Sequence, residues 1–130
     1  MKLKTVFTAN YIYAFLFGAG FMFFPTLCGS LVGFELVGDG SLIARCMGVF
    51  VLCTGVLTMC AREADDSDAR RAILWSLFTL YVLLVLFKVL LNTLWGFSFT
   101  LMFAMLYLFH LLLIGSYGYH LFGKTVRTEP

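Results

Sequence analysis

The chain has 130 residues, 62% of them hydrophobic, 18% aromatic and only 12% charged. A soluble domain is nearer half apolar and a quarter charged, and a chain this short cannot hide so much apolar surface in one core, so lipid must solvate much of it. The formal net charge of +2 comes without a basic block interleaved with aromatics, which leaves nucleic-acid binding without support.

The amino terminus, MKLKTVFTANYIYAFLFGAGFMFF, begins like a signal peptide, with lysines ahead of an apolar stretch. That stretch is longer than a signal core and lacks a small-residue cleavage site, so it reads as a retained first span over about 5–24. Further continuous apolar runs cover about 41–61, 71–91 and 97–122, each matching the roughly 20 helical residues that cross a bilayer. Because the runs do not alternate, helices are expected rather than barrel strands. The fold expected is therefore all-α: a single domain, 1–130, forming an integral membrane four-helix bundle. No internal repeat or second domain is apparent.

The links differ. PTLCGSLVGFELVGDG (25–40) is too short and glycine-rich to span, and Pro25 suits the first turn of a short helix. A short interfacial or partly re-entrant segment is expected there. READDSDARR (62–71) reads as a polar hairpin whose Asp-Ser-Asp caps the following helix. LNTLWGF is short enough to hold the last two helices side by side and antiparallel. Seven of the nine basic residues, Lys2, Lys4, Arg62, Arg70, Arg71, Lys124 and Arg127, fall on one side of such a threading, so both termini are expected to be cytoplasmic. Tyr11, Tyr13, Tyr117 and Tyr119 are expected to mark the inner boundary, and Trp75 and Trp95 opposite interfaces.

The second span carries cysteines at 46, 53 and 60. Seven helical residues rise about 10 Å, too far for a disulfide or a shared zinc. At about 100° per residue the cysteines share one stripe, and Ser41, Ala44, Gly48 and Gly55 share another with the small-residue spacing of close helix packing. A packed seam is expected on each stripe, and a Cys28–Cys46 disulfide near the outer face is left open.

Ionisable residues inside a span are functional candidates. Arg45 and Lys88 both lie about four residues inside the outer helix ends, where they can snorkel to the headgroups. The sharper alternative joins them with Glu35, Asp39, Asn92 and Trp95 into an outer polar cluster for lipid or a small hydrophobic or anionic molecule. His110, the deepest ionisable residue, reads either as a neutral histidine bonded to another helix or as a ligand to haem, chlorophyll or quinone. His120, about 15 Å further along the same helix, cannot share one haem with it. His120 and Asn10 fall near the inner interface and call for no special role. No nucleophile–base pair, phosphate-gripping glycine motif or metal-ligand spacing is present in the sequence, so neither an enzyme nor a metal or cofactor requirement is expected.

FGAGFMFFP (17–25), ARCMG (44–48) and ARRAIL (69–74), taken in order, resemble the layout of small bacterial four-helix membrane proteins of the DoxX-like group and related families of unknown function. The resemblance implies a bacterial inner-membrane protein, with Gly18, Gly20, Pro25, Arg45 and Gly48 as shared, mainly structural positions. It extends over most of the chain in layout. The functional expectation is a non-enzymatic accessory or assembly subunit, with membrane lipid and other subunits or further copies of itself as partners.

Overall fold

The computed structural model describes residues 2–95 and 100–123. The helices, in chain order, are α1 (Leu3–Phe23), α2 (Pro25–Val32), α3 (Gly40–Glu63), α4 (Asp68–Trp95) and α5 (Leu101–Phe122). Four of them, α1, α3, α4 and α5, are long and apolar enough to cross a membrane. α4 continues to Trp95, further than the apolar run alone implied, and α5 begins at Leu101.

Local chemistry explains the breaks. Pro25 has no N–H to donate to α1, so the chain turns at Phe24 and restarts with proline in the first turn of α2. α2 stops at Gly33, which adopts φ 90°, the left-handed conformation that a C-terminal cap requires. Ser67 caps α4 by accepting from the Arg70 amide at 3.3 Å, and Thr100 caps α5 by accepting from the Phe103 amide at 3.1 Å.

α1 lies chiefly against α3 and α4 chiefly against α5. The first pairing is a backbone-to-backbone approach. A methyl group placed on Gly18 would fall 2.9 Å from the Gly48 carbonyl oxygen and 2.8 Å from the Leu52 nitrogen. One placed on Gly48 would fall 2.7 Å from the Gly18 carbonyl oxygen. Ala14 and Gly55 continue the same contact, and Ala44 is buried beside it. The small-residue stripe of α3 thus packs tightly on α1, as small residues allow in membrane helices. Gly20 leaves room for the Cys28 thiol of α2, whose sulfur would lie 2.8 Å from an added methyl. Burial there pushes the Cys28 thiol pKa up.

The cysteine stripe behaves otherwise. Cys46, Cys53 and Cys60 are all exposed. The expected second seam is not formed among the described residues, because α3 turns its glycine side to α1. Nor is there a Cys28–Cys46 bridge, since both are free thiols.

The two helix pairs meet in one core at the end of the bundle where α1 and α4 begin. Val6 and Phe7 of α1, Ala61 of α3, Leu77 of α4, and Tyr117 and Leu121 of α5 pack there with almost no exposure. At the same end Arg62 closes α3 onto α1, donating through Nε to Thr8 Oγ1 at 2.9 Å, and also pairs with Glu63.

Candidate functional site

Above that core runs a polar cluster drawn from all four long helices. Asn10 of α1 is its centre and is fully buried. Its amide nitrogen donates to the Tyr117 hydroxyl at 2.8 Å and to Thr58 Oγ1 at 3.2 Å, and its carbonyl oxygen accepts from the Tyr81 hydroxyl. The Thr58 hydroxyl in turn donates to the Thr54 carbonyl oxygen at 2.6 Å. One side chain therefore binds α3, α4 and α5 to α1. In an apolar surround each of these groups would be costly to leave unpaired.

The second half of the cluster centres on His110 of α5, only 3% exposed. Its Nε2 lies 3.0 Å from the Tyr13 hydroxyl of α1, and its Nδ1 lies 2.8 Å from Lys88 Nζ of α4. The Tyr81 ring stacks on the imidazole at 5.2 Å and on the Tyr117 ring at 6.2 Å, joining the two halves. An ammonium has only donors, so a charged Lys88 donates to Nδ1. The ring proton then sits on Nε2 and points at the Tyr13 oxygen. The Lys88 ammonium also lies 5.4 Å from the Phe103 ring centre, within cation–π range.

No described hydrogen bond or ion pair joins the residues expected to share an outer cluster. Lys88 turns inward to His110 instead of snorkelling, because α4 runs seven residues beyond it to Trp95, about 10 Å of helix. Arg45 is exposed and donates through Nη1 to the Met22 carbonyl oxygen at 2.6 Å. Glu35, Asp39 and Asn92 are exposed, and none of the described hydrogen bonds joins the two carboxylates to either cation. The Trp95 side chain lies outside the described residues, as do Lys124 and Arg127.

Arg45 has a definite local task. Met22 is in the last turn of α1, where carbonyls lack intrahelical partners, and that turn contains no basic residue of its own. The guanidinium of α3 supplies both the donor and the positive charge that a helix C-terminus favours. Arg45→Ala will lower stability by about 1 kcal/mol and speed hydrogen exchange at the Phe24 amide, the last N–H bonded into α1. Unchanged exchange there would remove this role.

His110 belongs to the inter-helix bonding that its depth suggested. Because both ring nitrogens are engaged, a haem or chlorophyll ligated through it would have to displace Tyr13 or Lys88. Among the described residues, no three His, Cys, Asp or Glu side chains converge to hold a metal ion.

Sequence reasoning missed Asn10, Tyr13 and Tyr117 by placing them at the inner boundary, and it did not single out Tyr81 or Thr58. A signal was available. Tyr81 and Lys88 are seven apart on α4, and His110 and Tyr117 seven apart on α5, so each pair of polar groups shares a helix face. The chain matches no protein-family model, no curated protein and no solved structure.

Proposed function

We propose that this chain is an integral protein of a bacterial inner membrane, with both termini cytoplasmic, that works without catalysis as an accessory or assembly subunit of a larger complex or homo-oligomer. The observation that carries this reading is how little of each long helix the chain covers itself. In all four, less than a third of the apolar window is buried. Leu16, Phe50, Leu86 and Met105, one from each helix, face outward at more than half exposure. Apart from lipid, such faces suit neighbouring helices.

The orientation rests on the lysine and arginine distribution, and α2 with the loop that follows it would lie at the outer interface. The DoxX-like layout supports a bacterial inner membrane. The polar cluster fits a non-catalytic role, because its side chains hold one another: Asn10 fills both its donor and acceptor capacity with hydroxyls, and His110 is held from both sides.

Native mass spectrometry of protein extracted in mild detergent tests the proposal. A defined assembly, with other subunits or with further copies of the chain, is the expected result. A monomer carrying lipid alone would overturn it.

A further inference from the structure

Lys88 is the charged residue set deepest in the four long helices, and its electrostatic surroundings are incomplete. Its ammonium gives one N–H to His110 Nδ1 and faces the Phe103 ring. The other N–H donors have no acceptor among the described residues. Among the described residues no ion pair joins it to a carboxylate. Asp65, Asp66 and Asp68 lie around the start of α4, and Lys88 is twenty residues further on, about 30 Å of helix. Glu35 and Asp39 are exposed in the link between α2 and α3, and neither is bonded to it. A lysine inside a span ordinarily pairs with an acid or with backbone carbonyls, and leaving an ion there without a counter-charge is costly.

The position is also built for a ligand rather than for loose snorkelling. His110 fixes the ammonium from one side, and Tyr13 fixes the far nitrogen of His110. Phe103 lines another side, with Phe34 of the link 6.5 Å beyond it. Lys88 itself is only half-buried, so the head of a lipid-borne molecule can reach it from the bilayer. Asn92, one helical turn further out on the same face and exposed, adds an amide at the approach.

We propose that Lys88, held in place by His110 and Tyr13, binds the anionic head group, carboxylate or phosphate, of a membrane amphiphile. The oxyanion accepts from the free ammonium N–H groups and supplies the missing counter-charge, while the acyl chain stays in lipid. Lys88 is the binding residue. His110 and Tyr13 position it. The inference rests on the chain lying in lipid and is independent of whether it has partner subunits.

The test uses the full chain in phosphatidylcholine vesicles carrying one of three spin-labelled probes: stearic acid, phosphatidylglycerol or phosphatidylcholine. The basic residues at the opposite end of the bundle attract acidic probes too, so the difference between variants is what counts. Lys88→Gln is expected to cut the preference for an acidic probe over phosphatidylcholine about fivefold, the effect of one cation near a membrane surface, while Lys88→Arg keeps most of it. A loss confined to stearic acid identifies a carboxylate, one confined to phosphatidylglycerol a phosphate, and a loss of both the shared chemistry. Equal preference in wild type and Lys88→Gln would overturn the proposal. Should Lys88→Gln fail to fold, the wild-type chain decides: native mass spectrometry after exchange into neutral detergent with oleate and phosphatidylglycerol is expected to show one acidic amphiphile retained per chain. Retention of none would overturn the proposal.

Discussion

Asn10→Leu will lower the unfolding free energy by about 2–4 kcal/mol, measured by denaturing-detergent titration in mixed micelles. Leucine keeps the branching and side-chain heavy-atom count of asparagine but is bulkier, so the loss combines the missing polar contacts with some overpacking at a fully buried position. Three inter-helix hydrogen bonds disappear, those to Tyr81, Tyr117 and Thr58, and such bonds between membrane helices average about 0.6 and reach about 1.7 kcal/mol. The buried hydroxyls also lose their partner, and an orphaned group costs more than a bond that was never built. A second variant follows from that asymmetry. Adding Tyr81→Phe and Tyr117→Phe to Asn10→Leu will recover part of the loss, because two of the stranded hydroxyls are gone. A single variant within about 0.5 kcal/mol of wild type, the range of ordinary surface changes, would show that Asn10 does not hold the bundle together.

Gly48→Val will cost about 3 kcal/mol or more in the same titration, at the upper end of what overpacking a well-filled contact costs. The first carbon alone would stand 2.7 Å from both the Gly18 carbonyl oxygen and the Met22 nitrogen. Those atoms are backbone, so no rotamer change relieves them and α1 must move away along its whole contact with α3. Gly115→Val on α5 is the matched control. A methyl there meets nothing within 4 Å, and the substitution will change stability by only about 0.5 kcal/mol, because a side chain in a helix interior is no worse than glycine. Equal costs at the two positions would mean that α1 and α3 are not in backbone contact.

Hydropathy and small-residue spacing carried the fold far. Long apolar runs announce four helices whatever their neighbours, and Ala44, Gly48 and Gly55 fall on one stripe by angular arithmetic alone. The same arithmetic made a stripe of Cys46, Cys53 and Cys60, and there it misled. Residues of middling size suit lipid and protein alike, so periodicity cannot say which side of α3 meets a neighbour. The site was harder still. Counting depth from the edge of an apolar run placed Lys88 near the outer end of its helix, but α4 continues over Asn92 and Thr93 to Trp95, which sets Lys88 deeper and within reach of His110. Asn10 and the tyrosines were misread for a related reason. A tyrosine is equally at home at a membrane interface and in a buried hydrogen-bonded contact, and only the arrival of a partner from a distant helix separates the two. Arg45 lies near the start of α3, and its acceptor is a main-chain carbonyl, which no side-chain pattern reveals.

The span of those partners bears on how the chain is made. α1 leaves the ribosome before α3, α4 and α5, carrying Asn10 into the membrane ahead of the residues that bond it, and a buried amide without partners is expensive in hydrocarbon. Thr58 becomes available only once α3 has entered, Tyr81 with α4, and Tyr117 with α5. The Met22 carbonyl likewise waits for Arg45. A nascent chain halted before α5 would therefore hold an exposed polar mark within an apolar helix, of the kind that membrane chaperones and proteases can recognise, and the arrival of α5 is what erases it.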